Sequence, residues 1–148
     1  MFYLMSIHEN FASLILSGEK SVEIRRNNVK MHSGDYVAIY ATKPTAKIVG
    51  YFIVDHVVKD DCKKVWKLYK DKACIAYKSF IEYVEGKSII SAIVIKNSIK
   101  KSGLTLAEMD LWIPQSYSRI REDQFLKLCK IDNLPEENEG GDCDDRKP

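Results

Sequence analysis

The sequence predicts an α+β domain built around a mixed β-sheet or small β-barrel of about five strands. β-rich runs with alternating apolar side chains recur along the chain, and segments with apolar residues at helical spacing separate them. Glycines mark several of the junctions, at Gly18, Gly34 and Gly86. The length of 148 residues favours one domain with one hydrophobic core, because much longer chains usually divide into several domains.

The N-terminal part is predicted to form a strand, a helix and a second strand. Phe2–Ile7 is a short apolar run, and Glu9–Ser17 carries Phe, Leu and Ile side chains at helical spacing. Gly18 fits the left-handed stop after this helix, because glycine has no Cβ to oppose that conformation. Ser21–Arg26 then alternates apolar and polar residues, which predicts a strand with one face toward the core.

The rest of the chain continues the alternation of strands and helices. Strands are predicted at Tyr36–Tyr40, Ile48–Val58 and Ser88–Ile99, and helices at Asp60–Tyr69, Ala76–Val84 and Glu122–Lys130. Gly50 lies inside the second of these strands and indicates a bulge or a close approach of another backbone. Thr105 and Glu108 form the capping-box pattern of a short helix. Trp66 and Trp112 are expected to lie in the core.

Composition and motifs exclude several classes of protein. No run of about 18 apolar residues is present, and the N-terminus lacks the basic and apolar regions of a signal peptide. We therefore expect a cytoplasmic protein with no membrane span. The sequence holds no P-loop, no G-x-S-x-G motif and no dinucleotide fingerprint, so no cofactor is expected. The cysteines form no C-x-x-C pair and have no nearby histidine, which favours reduced thiols and no metal site.

The charge is unevenly distributed along the chain. The whole sequence has 23 basic and 21 acidic residues, and the segment 133–148 holds six of the acids and two of the bases. Residues 1–132 therefore carry a net charge of +6 and are predicted to form the folded domain, whereas 133–148 is predicted to be an acidic, disordered tail. A basic body favours a polyanionic partner such as nucleic acid, and a lysine-rich solvated surface is the alternative.

Several stretches resemble the ASCH domain family, which belongs to the PUA-like superfold of small β-barrels. They are MSIHENFASLILSGEKSVEIRR, GDYVAIYATKP, IVGYFIV and the later WIPQSYSRI, and together they cover most of residues 3–121. Ser6 ends the first strand, and Gly18, Lys20, Glu23 and Arg25 match the family element G-x-K-x-x-E-x-R. The resemblance implies a PUA-like mixed β-barrel of about five strands, surrounded by short helices.

The resemblance also implies a function connected with RNA. PUA-like domains mostly bind RNA, some ASCH members are ribonucleases, and one small bacterial branch is an amidohydrolase that deacetylates N4-acetylcytidine. Lys20 matches the lysine of that branch, but Glu23 stands where it has a threonine. The leading hypothesis is therefore a protein that binds RNA or other single-stranded nucleic acid. The alternatives are a hydrolase acting on RNA or on a modified nucleoside, and a protein-interaction adaptor. The oligomeric state is left open.

The strand after Gly18 carries the candidate site. If Val22 and Ile24 face the core, Glu23 and Arg25 share the opposite face, and Lys20 at the strand start can point toward the same cleft. An arginine held by a carboxylate suits phosphate or base-edge recognition, and a glutamate can accept a hydrogen bond from cytosine. The alternative is a solvated strand face whose ion pairs contribute about 0–1 kcal/mol each.

The predicted nucleic-acid-binding residues extend from this strand to both ends of the motif region. They are Ser6, His8, Lys20, Glu23, Arg25, Arg26, Tyr117 and Arg119. If the protein is an enzyme, Lys20 and Glu23 are the predicted catalytic residues, and a lysine base would need burial or a second cation to lower its pKa. Ser6 is either a helix N-cap or part of the cleft rim, and His8 is either a helix-start residue or a cleft residue. Tyr117 and Arg119 follow a proline-restrained loop and are placed at the rim.

Overall fold

The computed structural model describes residues 1–131, so the acidic segment 133–148 lies outside the described residues. The strands in the described part are β1 (Phe2–Ile7), β2 (Val22–Arg25), β3 (Tyr36–Ala41), β4 (Lys47–Asp61), β5 (Ile89–Leu104) and β6 (Tyr117–Ile120). The helices are α1 (Glu9–Ser17), α2 (Cys62–Ala73), α3 (Tyr77–Tyr83) and α4 (Glu122–Lys130), with a 3-10 turn at Ala107–Met109. The predicted α+β class is confirmed. None of the helices formed by residues 1–131 has the length and apolar character needed to cross a bilayer.

The six strands form one mixed sheet in the order β2-β5-β4-β3-β1-β6. β1 runs parallel to β3, and the other neighbours are antiparallel. The predicted barrel is wrong, because β2 pairs with β5 and β6 pairs with β1, and no ladder joins these two edge strands. Both edge strands have four residues, and the Arg25 side chain from β2 bridges to Ser6 and Ser116 beside the other edge instead.

Apolar clusters on opposite faces hold the helices to the sheet. α1 packs through Ile15 into one cluster with Phe52, and α4 packs through Phe125 into a second. Alternate residues of β1 and β3 enter these two clusters, so α1 and α4 lie on opposite faces of the sheet. A third cluster fastens α2 and α3 to β2 and β5 through Val65 and Phe80. β2 is therefore an edge strand that helices cover on its apolar side.

The predicted bulge and close approach at Gly50 are both confirmed. The β4–β5 register shifts between Ile48 and Gly50, and β-bulges bend paired strands. A Cβ at Gly50 would collide with the Ile99 carbonyl oxygen of β5 and would lie 2.8 Å from Leu16 Cδ2 of α1. The absent side chain lets α1 lie against two paired strands at this point.

Two local predictions need correction and one is confirmed. β4 continues to Asp61, so α2 begins at Cys62, after the predicted start at Asp60, and the Asp61 carboxylate caps it by accepting from the Lys64 backbone N–H at 2.9 Å. Trp112 is not in the core, because 88% of its surface is exposed. The Thr105–Glu108 capping box is formed. The Thr105 backbone N–H donates to Glu108 Oε1 at 2.8 Å, and the Glu108 backbone N–H donates to Thr105 Oγ1 at 3.1 Å.

Candidate functional site

The turn after α1 sets the direction of the strand that carries the predicted site. Gly18 adopts φ 91° at the end of α1, and its N–H donates to Ile15 O. The Lys20 N–H then donates to Leu14 O at 3.0 Å, which fixes the chain as it enters β2. The left-handed stop predicted at Gly18 is therefore confirmed, and it places Lys20 beside the end of the helix.

Cross-strand pairing decides which way the β2 side chains point. Ile24 pairs with Ala92, a residue of the cluster under α2 and α3, whereas Glu23 pairs with Ile93, a residue of the cluster under α1. Directly paired residues share a face of a sheet. Glu23 and Arg25 therefore face the α1 side, as the alternation of the sequence predicts.

Lys20, Glu23 and Arg25 form one buried ion-pair network. Glu23 Oε1 lies 3.5 Å from Lys20 Nζ, and Glu23 Oε2 accepts a hydrogen bond from Arg25 Nη1 at 3.1 Å. The exposed fractions of the three side chains are 3% for Lys20, 7% for Glu23 and 13% for Arg25. The alternative of a solvated strand face is therefore excluded by this burial.

The surroundings of Lys20 favour its neutral form more than water does. Its Nζ donates to the Ala73 carbonyl oxygen at the end of α2 and lies 4.6 Å from the centroid of the Phe11 ring. Burial lowers the pKa of Lys20 below its usual value, and the neighbouring Glu23 carboxylate opposes that shift in part. Lys20 thus meets the burial condition stated above for a lysine that accepts a proton.

The lowered pKa of Lys20 predicts how the free energy of unfolding depends on pH. The unfolded chain holds the Lys20 proton more tightly, so the free energy of unfolding rises with pH between the folded pKa and the ordinary value of 10.5. We expect the difference between wild type and Lys20→Met to grow in favour of wild type as the pH is raised through that window. Urea unfolding of both proteins at several pH values measures this difference. A difference that shrinks as the pH rises contradicts the lowered pKa.

The network lines a pocket of about 340 Å³ between α1, β2 and α3. Its lining residues are His8, Phe11, Lys20, Glu23, Ile24, Arg25, Ile75, Ser79 and Tyr83. The walls therefore combine aromatic and aliphatic side chains with one carboxylate and two cations. Such a combination of apolar walls and few polar groups is typical of small-ligand sites.

Of the predicted rim residues, His8 lines this pocket, and Ser6 is connected to it only through Arg25. His8 is exposed at its mouth and caps α1, because its Nδ1 accepts from the Asn10 backbone N–H at 3.2 Å. Ser6 is not the N-cap. Its backbone oxygen accepts from Arg25 Nη1 at 3.3 Å, and its hydroxyl donates to Pro114 O at 3.1 Å.

The other three predicted residues do not line the pocket. Arg26 turns toward the end of α3, where its Nη2 donates to Glu85 O at 3.0 Å. Tyr117 packs edge-on against Tyr3, and its hydroxyl accepts from the Lys30 backbone N–H at 3.0 Å. Arg119 lies in a separate groove.

Sequence reasoning missed the residues that α1, α3 and the connection between α2 and α3 contribute to the pocket. The helical spacing around Phe11 predicts an ordinary core residue, and the pattern around Tyr83 predicts an amphipathic helix. Ile75, between α2 and α3, and Tyr83 of α3 lie at least 50 residues after the end of β2, so no local pattern links them to it. Within residues 1–131, no group of three or more His, Cys, Asp or Glu side chains is placed to hold a metal ion.

Comparison with known proteins finds ASCH domain proteins along most of the chain and a ribosomal protein along part of it. A curated ASCH domain-containing ribonuclease from Zymomonas mobilis is 25% identical over 133 residues, which cover 86% of this chain and 90% of that protein. The crystal structure of an ASCH protein from Zymomonas mobilis superposes with a TM-score of 0.83 at 24% identity, covering 88% of this chain and 94% of that one. A segment of 64 residues is 34% identical to part of the large ribosomal subunit protein uL22 of Ureaplasma parvum and covers 21% of that protein. Residues 5–114, more than half of the sequence, match the ASCH domain, and the chain therefore belongs to the ASCH domain family.

Proposed function

We propose that this protein acts on RNA and that the pocket beside β2 receives one nucleotide of a single-stranded or flipped-out segment. The observation that carries the proposal is the buried Lys20–Glu23–Arg25 network in the wall of a pocket of about 340 Å³. Buried ion pairs contribute little net stability, so their position in the wall of a pocket favours a role in recognition or chemistry. The Zymomonas mobilis relative, which is named a ribonuclease, supports RNA as the ligand.

The pocket offers complementary groups to each part of a nucleotide. Phe11 and Tyr83 provide aromatic surface for a base, and stacking of a base on an aromatic side chain contributes about 1–3 kcal/mol. Glu23 is positioned by Arg25 and accepts a hydrogen bond from an exocyclic amine of the base. Arg25, the most exposed member of the network, contacts the phosphate. RNA binding is thus the primary function that we assign to this site.

Cleavage of the bound RNA is the second candidate function, and the lowered pKa of Lys20 favours it. In this reaction neutral Lys20 removes the proton of a ribose 2′-hydroxyl, and the 2′-oxygen attacks the adjacent phosphorus. The bond from phosphorus to the 5′-oxygen breaks, His8 at the pocket mouth protonates that oxygen, and Arg25 balances the charge on the phosphate. The products are a 2′,3′-cyclic phosphate and a 5′-hydroxyl. The step needs no metal ion.

The test compares Glu23→Gln with a matched surface variant, Glu82→Gln, on the exposed face of α3. Glutamine keeps an oxygen that accepts from Arg25 but removes the charge, so we expect RNA affinity to fall about tenfold, because a hydrogen bond to a charged group contributes about 1.5–3 kcal/mol. Binding is measured for single-stranded RNA, duplex RNA, DNA, cytidine and N4-acetylcytidine at two salt concentrations. Product analysis of the same samples separates binding from turnover.

Each outcome of this experiment has a definite meaning. Salt-sensitive RNA binding that Glu23→Gln weakens, without products, supports a binding protein, and products with cyclic phosphate ends support the ribonuclease. Release of acetate from N4-acetylcytidine would replace both with an amidohydrolase. Equal RNA binding by Glu23→Gln and Glu82→Gln would contradict the pocket assignment, and absence of any binding would favour a protein-interaction adaptor.

A further inference from the structure

An exposed tryptophan that does not line the proposed pocket lies four residues before Ser116, which is hydrogen-bonded to Arg25 of that pocket. The side chain of Trp112 is 88% exposed and that of the adjacent Ile113 is 60% exposed, whereas Trp66 packs against Phe80 of α3. Large apolar side chains placed together on a surface usually mark an interaction site, because their burial would otherwise be favourable. The exposure of Trp112 beside Ile113 is therefore the feature from which the inference starts.

The segment that carries Trp112 is hydrogen-bonded to β1 and to Arg25 of the pocket wall. Pro114 O accepts a hydrogen bond from the Ser6 hydroxyl at 3.1 Å, and Ser116 Oγ accepts one from Arg25 Nη2 at 2.9 Å. Arg25 thus contacts the proposed pocket through Glu23 and the Trp112 segment through Ser116. Its guanidinium is the physical connection between the two places.

Trp112 lines an open groove of about 800 Å³ that is separate from the proposed pocket. Two other polar side chains of the groove already have partners: Arg121 Nε donates to Asp123 at 2.9 Å, and Gln124 Nε2 donates to Asp110 O at 2.9 Å. Arg119 is exposed in the same groove and makes no ion pair or hydrogen bond through its side chain within residues 1–131. The groove is therefore lined by an exposed indole and by an exposed arginine, which pairs with Tyr3 across the β1–β6 ladder.

We propose that this groove is a second nucleotide subsite, in which the base next to the one in the pocket stacks on Trp112 and Arg119 contacts a phosphate. This inference rests on the proposed function of the first pocket. Aromatic side chains interleaved with cations are the usual surface for single-stranded nucleic acid, since every base has a face that can stack. The preferred ligand is then single-stranded RNA of at least two nucleotides, and a free nucleoside or mononucleotide satisfies only part of the site.

The first test compares Trp112→Ala with Tyr77→Ala, an exposed aromatic residue at the start of α3 that is 57% exposed. We expect Trp112→Ala to raise the Kd for a single-stranded hexaribonucleotide about tenfold and to leave the Kd for a mononucleotide unchanged. Tyr77→Ala is expected to leave both unchanged. Arg119→Ala is expected to reduce the slope of log K against log salt by about 0.7, as loss of one phosphate contact on a single strand does.

The second test observes Trp112 directly. The chain has two tryptophans, so Trp66→Phe leaves Trp112 as the only indole fluorophore. We expect the hexaribonucleotide to quench its fluorescence and a saturating mononucleotide to leave it unchanged. Together these results separate the second subsite from the pocket itself.

The results that overturn the inference differ from those that overturn the proposed function. Equal RNA affinities of Trp112→Ala and Tyr77→Ala, or unchanged fluorescence on RNA binding, would exclude the second subsite while leaving the Glu23 pocket intact. Equal loss of mononucleotide and hexanucleotide binding in Trp112→Ala would make Trp112 part of the first pocket. If wild type binds no RNA, both the proposed function of the pocket and the second subsite are contradicted.

Discussion

Replacing Lys20 by methionine is expected to lower the free energy of unfolding by about 3 kcal/mol, the cost of removing one partner from a buried ion pair. Methionine keeps most of the length of the side chain but provides no donor for Ala73 O and no charge beside Glu23 Oε1. The buried carboxylate then keeps only its contact with Arg25. Urea unfolding followed by circular dichroism measures the change.

The control for this substitution is a lysine outside the network. Lys96→Met, at an exposed position of β5, is expected to change the free energy of unfolding by less than about 0.5 kcal/mol. If Lys20→Met changes the free energy of unfolding as little as Lys96→Met does, the contacts of Lys20 with Glu23 and the Ala73 carbonyl oxygen do not stabilise the fold.

Gly50→Ala is expected to destabilise the protein by about 3 kcal/mol, at the upper end of the usual cost of overpacking. The new methyl group would collide with the carbonyl oxygen of Ile99 and approach Leu16 Cδ2 to 2.8 Å and Lys100 Cα to 3.2 Å. Two of these three atoms belong to the β5 backbone, which the ladder with β4 prevents from moving away. Thermal or urea unfolding measures the loss.

Gly86→Ala separates steric collision from backbone strain. Gly86 adopts φ 83°, which opposes a side chain, but a Cβ there would meet no atom within 4 Å. That substitution is expected to cost about 1–2 kcal/mol, from the left-handed conformation alone. If Gly50→Ala destabilises the protein no more than Gly86→Ala does, the strands and α1 can move apart at Gly50. That result would contradict the close approach described above.

Local patterns predicted the elements that depend on neighbouring residues. β1 and α1 have the predicted bounds, because apolar spacing and the left-handed stop at Gly18 are properties of a few consecutive residues. α4 also has the predicted bounds, Glu122–Lys130. β6 was missed because four residues that include Ser118 and Arg119 form a weak strand pattern, and pairing with β1 stabilises it.

Part of the candidate site could also be predicted from local patterns, and part depends on residues that are distant in the sequence. The alternation of β2 predicted that Glu23 and Arg25 share a face, and the spacing from Gly18 placed Lys20 near them. Their burial was not predictable, because Phe11 of α1 and the Ala73 carbonyl of α2 surround Lys20 only in the folded chain. Tyr117 and Arg119 were placed at the rim, yet Tyr117 contacts Tyr3 and Arg119 lies in the Trp112 groove.

By itself the sequence determined the class of fold, the helices and strands with strong periodicity, the family resemblance, and the three charged residues Lys20, Glu23 and Arg25 in and just before β2. These follow from side-chain spacing and backbone preference, which act over a few residues. The tertiary structure alone decided that the sheet stays open, that α3 and the connection preceding it complete the pocket, and that Trp112 is exposed. Those features depend on which distant segments pair and pack, and the free energy of such contacts is not encoded in any local pattern. Arg25 illustrates both kinds of feature. Its position in β2 follows from the local sequence, whereas its contacts with Ser6 and Ser116 exist only because the two sheet edges approach each other.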